Sequence, residues 1–432
     1  MKKGSFLVII LLLVTVGLGW KTYYDNTVGV ENELVELRAQ AEKLESKELY
    51  FDAINVYKEI NEKYPSYDNL TKIGDLNRAL TINSEAEKYY LEAIDANPKE
   101  RYAYDRLTEI YEKFDEEKLI PLLYRMKDNV ENFDSTKLEL LELKYFDAFG
   151  FGHDDFKMND GKQVFKENKL YGLKDSSREI ILEAKYEKMY SYSKDTELIP
   201  VVKDKKAYFI DVDGYKRNVA DIEYEEYGPQ FEKFCFAKKD GVYKYLDYDL
   251  NPVNDMEFED ASSFNKGLAA VKKNNKWGII NNKFEAVVDY IYDEILFDSD
   301  KIFNEFGVSF AKKGNTWYLL DEGMKVISED EILEVEPFVS NEPAAVKLKN
   351  GWNYITKDGK ILSDKRYAKT NSFMMNKSFV KLGDKKWTII NQQMREGDPL
   401  EADDISSIDV NGFAKVKLKD KIKLKKVYGK VE

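Results

Sequence analysis

The sequence predicts two repeat domains of different class: a solenoid of helical hairpins followed by an all-β repeat domain. Three observations predict this. Between Leu34 and Leu143 apolar residues recur at helical spacing, and Pro65 and Pro98 close two successive stretches 33 residues apart. From residue 161 onward an aromatic side chain returns behind a hairpin turn at a nearly fixed interval. Ahead of both lies an uncharged apolar run from Gly4 to Trp20.

The totals agree with a multidomain globular chain. Its 432 residues suffice for two or three domains, and 43% apolar with 34% charged residues permits a packed core. The 30 Tyr and 24 Phe favour strands. A formal net charge of −13 argues against nucleic acid as a partner, because phosphate binding needs a basic face. Cys235 is the single cysteine and His153 the single histidine, so neither a disulfide nor a paired-His or thiolate metal site can form within the chain. Cys235 lies between Phe234 and Phe236 and reads as a small buried hydrophobe.

Taken in order, residues 1–5 form a short cytoplasmic tail with Lys2 and Lys3, and residues 6–20 a transmembrane signal anchor. Trp20, Tyr23 and Tyr24 stand where an aromatic belt would lie. Acidic residues on the trailing side favour the N-terminus inside and the bulk of the chain extracytoplasmic, at the cell membrane. A cleaved signal peptide is the rival, with Gly17 and Gly19 as a weak small-residue site. Residues 21–33 are a linker.

Residues 34–146 carry the helical pattern. Leu34, Leu37, Ala41 and Leu44 form one stripe, and Ala53, Val56, Tyr57 and Ile60 a second. Gly74, Ala86, Tyr90, Ala93 and Pro98 follow in the next unit. These five residues resemble the signature of the tetratricopeptide repeat: a small residue where the helices cross, an Ala and an aromatic four apart, a second Ala, then a closing Pro. The first unit has Ile60 in place of the second Ala, and a third unit with Tyr104, Leu107 and Tyr111 lacks the closing Pro. The resemblance implies a concave groove lined by Asp75, Arg78, Tyr102, Asp105 and Glu109. An acidic groove of that kind suits a basic peptide of a protein partner; the alternative is a merely solvated helix face.

Residues 147–160 read as a junction, with His153 beside two acids as a pH sensor or a plain linker. In residues 161–432, Tyr171, Tyr208, Tyr243, Trp277, Trp317, Trp352 and Trp387 occupy one place in successive units, and Ile422 continues the series. A third apolar element after each hairpin includes Tyr186, Tyr224, Tyr292 or Tyr367. About seven three-stranded units are therefore expected, closing as a β-propeller or curling as an open β-solenoid. Phe264, Gly267, Leu268, Ala269, Val271, Lys276, Trp277, Gly278 and Ile280 resemble the bacterial WG repeat. That resemblance implies an extracytoplasmic interaction role without enzymatic activity.

Three further features bear on function. The aromatic series could stack on sugars, but a residue fixed in every unit is more simply the packing between units. Asp247, Asp249 and Asn251 suggest a calcium loop, except that Pro252 stands where a calcium hand needs Gly. The last hairpin, Lys415–Lys426, alternates Lys with apolar residues; it guards an edge strand or meets an anionic cell-wall polymer. No catalytic, cofactor or metal constellation stands out. The expected function is a membrane-anchored extracytoplasmic scaffold for protein–protein interaction, with cell-wall polymer or carbohydrate binding as the alternative.

Overall fold

The computed structural model describes residues 32–148, 154–217, 222–419 and 421–429. It divides between Leu141 and Glu142 into two compact units. The expected anchor at 6–20 and His153 lie outside the described residues. Among the described residues no helix is long and apolar enough to cross a membrane.

The first unit contains seven helices among the described residues: α1 (32–45), α2 (Tyr50–Lys63), α3 (Tyr67–Ala79), α4 (Asn83–Ala96), α5 (Arg101–Phe114), α6 (Glu116–Asn129) and α7 (Thr136–Leu141). Helix α3 begins where the Ser66 hydroxyl accepts the Asn69 N–H, satisfying one of the donors a helix start leaves open. Ala41, Ala53, Ile60 and Ile73 are fully buried in one cluster, so Ile60 fills the place where an Ala was expected. The packing of α3 on α4 depends on Gly74. A Cβ there would stand 2.6 Å from the Tyr90 ring, and Ala86, Tyr90 and Ala93 are all fully buried.

The second unit overturns the expectation of about seven three-stranded units. It contains eight antiparallel sheets, five of four strands and three of three. The four-stranded fourth sheet is representative: a two-residue strand Asp260–Ala261, the hairpin Leu268–Lys273 and Lys276–Asn281, then Ala286–Tyr292. In the three-stranded sheets the outer position survives as isolated bridges, such as Trp317 to Ile332 and Trp352 to Tyr367. Strands of two residues have no period to read in a sequence, which is why the short first strands of the second to eighth sheets escape the sequence pattern.

The final hairpin is also not an edge. Lys421–Lys426 pairs with Phe413–Leu418 on one side and with Phe146–Ala148 on the other. The Lys-as-edge-guard expectation is therefore corrected: a strand at the boundary between the expected helical domain and the expected junction covers that edge. The expected junction at 147–160 likewise holds strand, in Phe146–Ala148 and Asp154–Asn159.

Register explains the aromatic series. Asn274 and Asn275 both have positive φ, the type I′ geometry that matches strand twist. Trp277 stands one residue beyond this turn, opposite Lys272 on one side and Tyr292 on the other. Tyr171, Tyr243, Trp317, Trp352 and Trp387 hold the same place. Each belongs to an apolar cluster shared with the following sheet, as Trp277 packs with Ile295, Phe303 and Ala311 of the fifth. Seven such clusters bridge successive sheets from the first to the eighth. This gives a propeller-like succession of sheets whose core lies between them.

Two members of the series differ. In the second sheet the turn is closed by Lys203 and Lys206, so Ala207 holds the repeat position and not Tyr208. A slip of one residue turns a side chain to the other face, and Tyr208 packs back against the cluster of the first and second sheets. Ile422, at this position in the eighth sheet, is 58% exposed.

Candidate functional site

The helical face gathers four of its five expected residues. The Tyr90 hydroxyl donates to Asp75 Oδ1 at 2.7 Å and the Tyr102 hydroxyl to Asp75 Oδ2 at 2.8 Å. Arg78 meets Glu109 at 2.8 Å. Arg106, which the sequence pattern did not single out, joins these two clusters. Its guanidinium lies 4.8 Å from the Tyr102 ring centre, 3.2 Å from Glu109 and 3.9 Å from Asp75. Asp105 stands apart and pairs with Arg101 at 3.2 Å.

This arrangement corrects the expected acidic character. Asp75, Asp105 and Glu109 each have an arginine beside them, so the face is close to neutral. The Arg78 guanidinium holds the Glu109 carboxyl below the usual carboxylate range, and burial together with the Asp75 hydrogen bond pushes the Tyr102 phenol up. Such a surface offers a cation–π pair of Arg106 and Tyr102 and a half-exposed carboxylate rather than a field of one sign. It suits a mixed polar and aromatic contact.

In the β unit, the first short strands of successive sheets bring charges together. Glu226 is buried and accepts from Lys188 Nζ at 2.7 Å and from the Tyr190 hydroxyl. Burial raises the Glu226 carboxyl, yet Lys188 and Tyr190 hold it below its ordinary range overall. Lys301 pairs with Asp260 and lies 4.7 Å from the Tyr243 ring centre; burial lowers its pKa despite Asp260. Asp300 Oδ1 accepts the Ser191 N–H at 2.8 Å, and the Ser263 hydroxyl donates to the Asp300 carbonyl at 2.6 Å. The network thus ties loops of the second, fourth and fifth sheets. Its chemistry is that of compensated charges holding loops in place.

A sequence signal for part of this network exists. Tyr224-Glu-Glu-Tyr227, Phe258-Glu-Asp-Ala261 and Tyr292-Asp-Glu-Ile295 share an apolar–acid–acid–apolar order. The first acid accepts a turn N–H of the next hairpin: Glu225 from Asp240, Glu259 from Asn275, and Asp293 from Gly314, each at 2.8 Å. The second acid includes Glu226 and Asp260. No local pattern marks Asp300 and Lys301, which arrive from a distant loop.

Other expected features are placed as follows. Asp247 Oδ1 accepts the N–H groups of Asp249 and Asn251 at 3.0 and 2.8 Å, so the supposed calcium loop is an Asx-type turn. Among the described residues no cluster of His, Cys, Asp and Glu could hold a metal. Cys235 is buried and its thiol pKa is pushed up, which leaves it unreactive. Trp277, Trp317, Trp352 and Trp387 are each no more than 8% exposed, which removes the main support for sugar stacking on them.

Comparison with known proteins adds one family. The model of the WG containing repeat matches residues 171–206 and 245–277, and these matches support a WG-repeat protein. No curated protein matches the chain. Among solved structures, BamB from Moraxella catarrhalis is 10% identical at a TM-score of 0.41, over 66% of this chain and 98% of that one. A structure of the eukaryotic initiation factor gives 10% and 0.41, over 66% and 88%. The Neurospora crassa Pan2 WD40 domain gives 11% and 0.29, over 57% and 90%. At these scores the likenesses carry no functional argument.

Proposed function

We propose that this WG-repeat protein is an extracytoplasmic interaction scaffold, held at the cell membrane by residues 6–20 with its N-terminus inside. One observation carries the interaction role: the repeated aromatics are used up as packing between sheets, leaving loops and helix faces as the displayed surface. The helical hairpins take a protein partner in the manner of tetratricopeptide repeats, through the face of Asp75, Tyr102, Arg106 and Glu109. The apolar run of residues 6–20 with Lys2 and Lys3 before it supports the anchor.

The test is photo-crosslinking of the full chain in its native cell, with the photoreactive group at Glu109 or Tyr102. Recovery of a specific protein is expected, and its loss in Arg106→Ala. An absence of protein adducts from both positions would end the scaffold proposal. Protease treatment of intact spheroplasts should digest the chain beyond residue 31; full protection would refute the orientation. A second reading, an anionic cell-wall polymer as ligand, is favoured only by the exposed Lys417, Lys419, Lys421 and Lys423 of the last hairpin. Co-sedimentation with cell-wall sacculi, weakened by exchanging these for Gln, would support it.

A further inference from the structure

The second sheet omits the ring that its neighbours carry. Six of the eight sheets place Tyr or Trp one residue beyond the hairpin turn, and in all six the residue opposite is Lys, at 166, 238, 272, 312, 347 or 381. Here the pair is Ala207 opposite Val202. Beside Ala207 a cavity of about 230 Å³ opens between the second and third sheets, lined by Lys205, Ala207, Glu223, Tyr224, Tyr227 and Lys239 among others.

We propose that this pocket receives an aromatic side chain of a protein partner, flanked there by carboxylates. The partner supplies the ring this sheet lacks. Three observations carry the assignment, which rests on the interaction role above. The pocket adjoins a position that takes an aromatic side chain in six related sheets, so its walls are built for a ring. Tyr224 and Tyr227, with ring centres 5.2 Å apart, provide aromatic surface against which a further ring packs edge-on or offset. The volume is below the roughly 300–1,000 Å³ of pockets that enclose whole ligands, and suits one side chain.

Charge sets the flanks. Of the three acids at the rim, Glu223 pairs with Lys206 at 2.9 Å and Glu225 with Lys238 at 3.8 Å, which leaves Asp240 as the one carboxylate set against three further lysines. The rim thus presents the ammonium groups of Lys205, Lys216 and Lys239 to carboxylates of the incoming segment. Neither the motif of the WG repeat nor the helical face predicts this place. It follows from the one-residue difference between Ala207 and Tyr208 in the pairing register.

The experiment is saturation-transfer NMR of the full chain in detergent with N-acetyl-tryptophan, which carries an indole and a carboxylate. Transfer to the indole protons is expected for the wild type, with N-acetylalanine showing none. Ala207→Trp fills the pocket from within and should reduce transfer at least fivefold while raising Tm or leaving it unchanged. Because that variant could disturb the sheet, Lys205→Glu with Lys239→Glu provides a second arm: it leaves the core intact and should weaken transfer similarly. No transfer with the wild type, or equal transfer with both variants, overturns the proposal. Crosslinking then separates the two proposals. If wild type and Ala207→Trp capture the same proteins, the scaffold stands and the pocket is not where they bind.

Discussion

Lys377 opens the seventh sheet's central hairpin with its side chain only 1% exposed. Its ammonium donates to the Met375 carbonyl at 3.0 Å, and burial lowers its pKa from the ordinary 10.5 to about 8, against the opposing pull of Glu142 and Glu342. A lysine with a folded pKa below its unfolded value costs stability wherever both states are protonated. Below about pH 8 the cost is complete; between pH 8 and 10.5 the unfolded chain binds more protons than the folded one, so stability rises with pH. The fall from 10.5 to about 8 corresponds to a cost of about 3 kcal/mol at about 1.4 kcal/mol per tenfold. Lys377→Met keeps the aliphatic stem and removes the charge, so at pH 7 it should stabilise the β unit by about 1–3 kcal/mol. The lower end allows for the lost hydrogen bond to Met375. Urea unfolding of wild type and variant from pH 7 to 10 measures the effect. The gap should narrow steadily as pH rises past 8. A variant less stable than wild type at pH 7, or a gap independent of pH, would refute the electrostatic account.

Three further variants have expected outcomes. Trp387→Ala, at a 1% exposed site with its indole N–H donating to the Ala402 carbonyl, should cost about 3–5 kcal/mol in chemical denaturation, whereas Ile422→Ala, at the matching place in the eighth sheet, should stay within about 0.5 kcal/mol. Gly74→Ala should destabilise the helical unit by about 1–3 kcal/mol, since its Cβ would collide with the buried Tyr90 ring; far-UV circular dichroism melting reads this, and an unchanged melt would show that the ring can move aside.

What was legible in the sequence was what repeats on a long period. The helical stripes, the closing prolines and the Trp series all recur at a spacing long enough to read. The small strands did not: Asp260–Ala261 and Glu294–Ile295 are two residues each, and alternation needs more than that to show itself. Phe146–Ala148 was missed for another reason, because its partner strand lies some 278 residues later, as the Asp147–Lys425 ion pair records. At the helical face, residue identity pointed to Asp75, Arg78, Tyr102 and Glu109, but the acidic reading failed. Charge balance depends on which arginine reaches which acid, and Arg106 turns toward all three neighbours only once α3 and α5 are side by side. Tyr208 was misplaced because spacing alone cannot distinguish a ring in register from one a residue late. The hairpin turn at Asp204 and Lys205, both at positive φ, fixes that difference.

The strand Phe146–Ala148 also decides how the β unit bears force. Its three paired positions, Phe146 with Lys426, Asp147 with Lys425 and Ala148 with Leu424, join the chain's entry to its exit. In an antiparallel pair the incoming end of one strand and the outgoing end of the other lie side by side. A pull between residues upstream of 146 and downstream of 428 therefore peels these pairs in succession instead of shearing them together. The Lys425–Asp147 ion pair at 2.8 Å and the edge contact of Phe146 with Tyr428 at 5.9 Å stand at that point of first opening. The other seven sheets carry no tension until this latch parts.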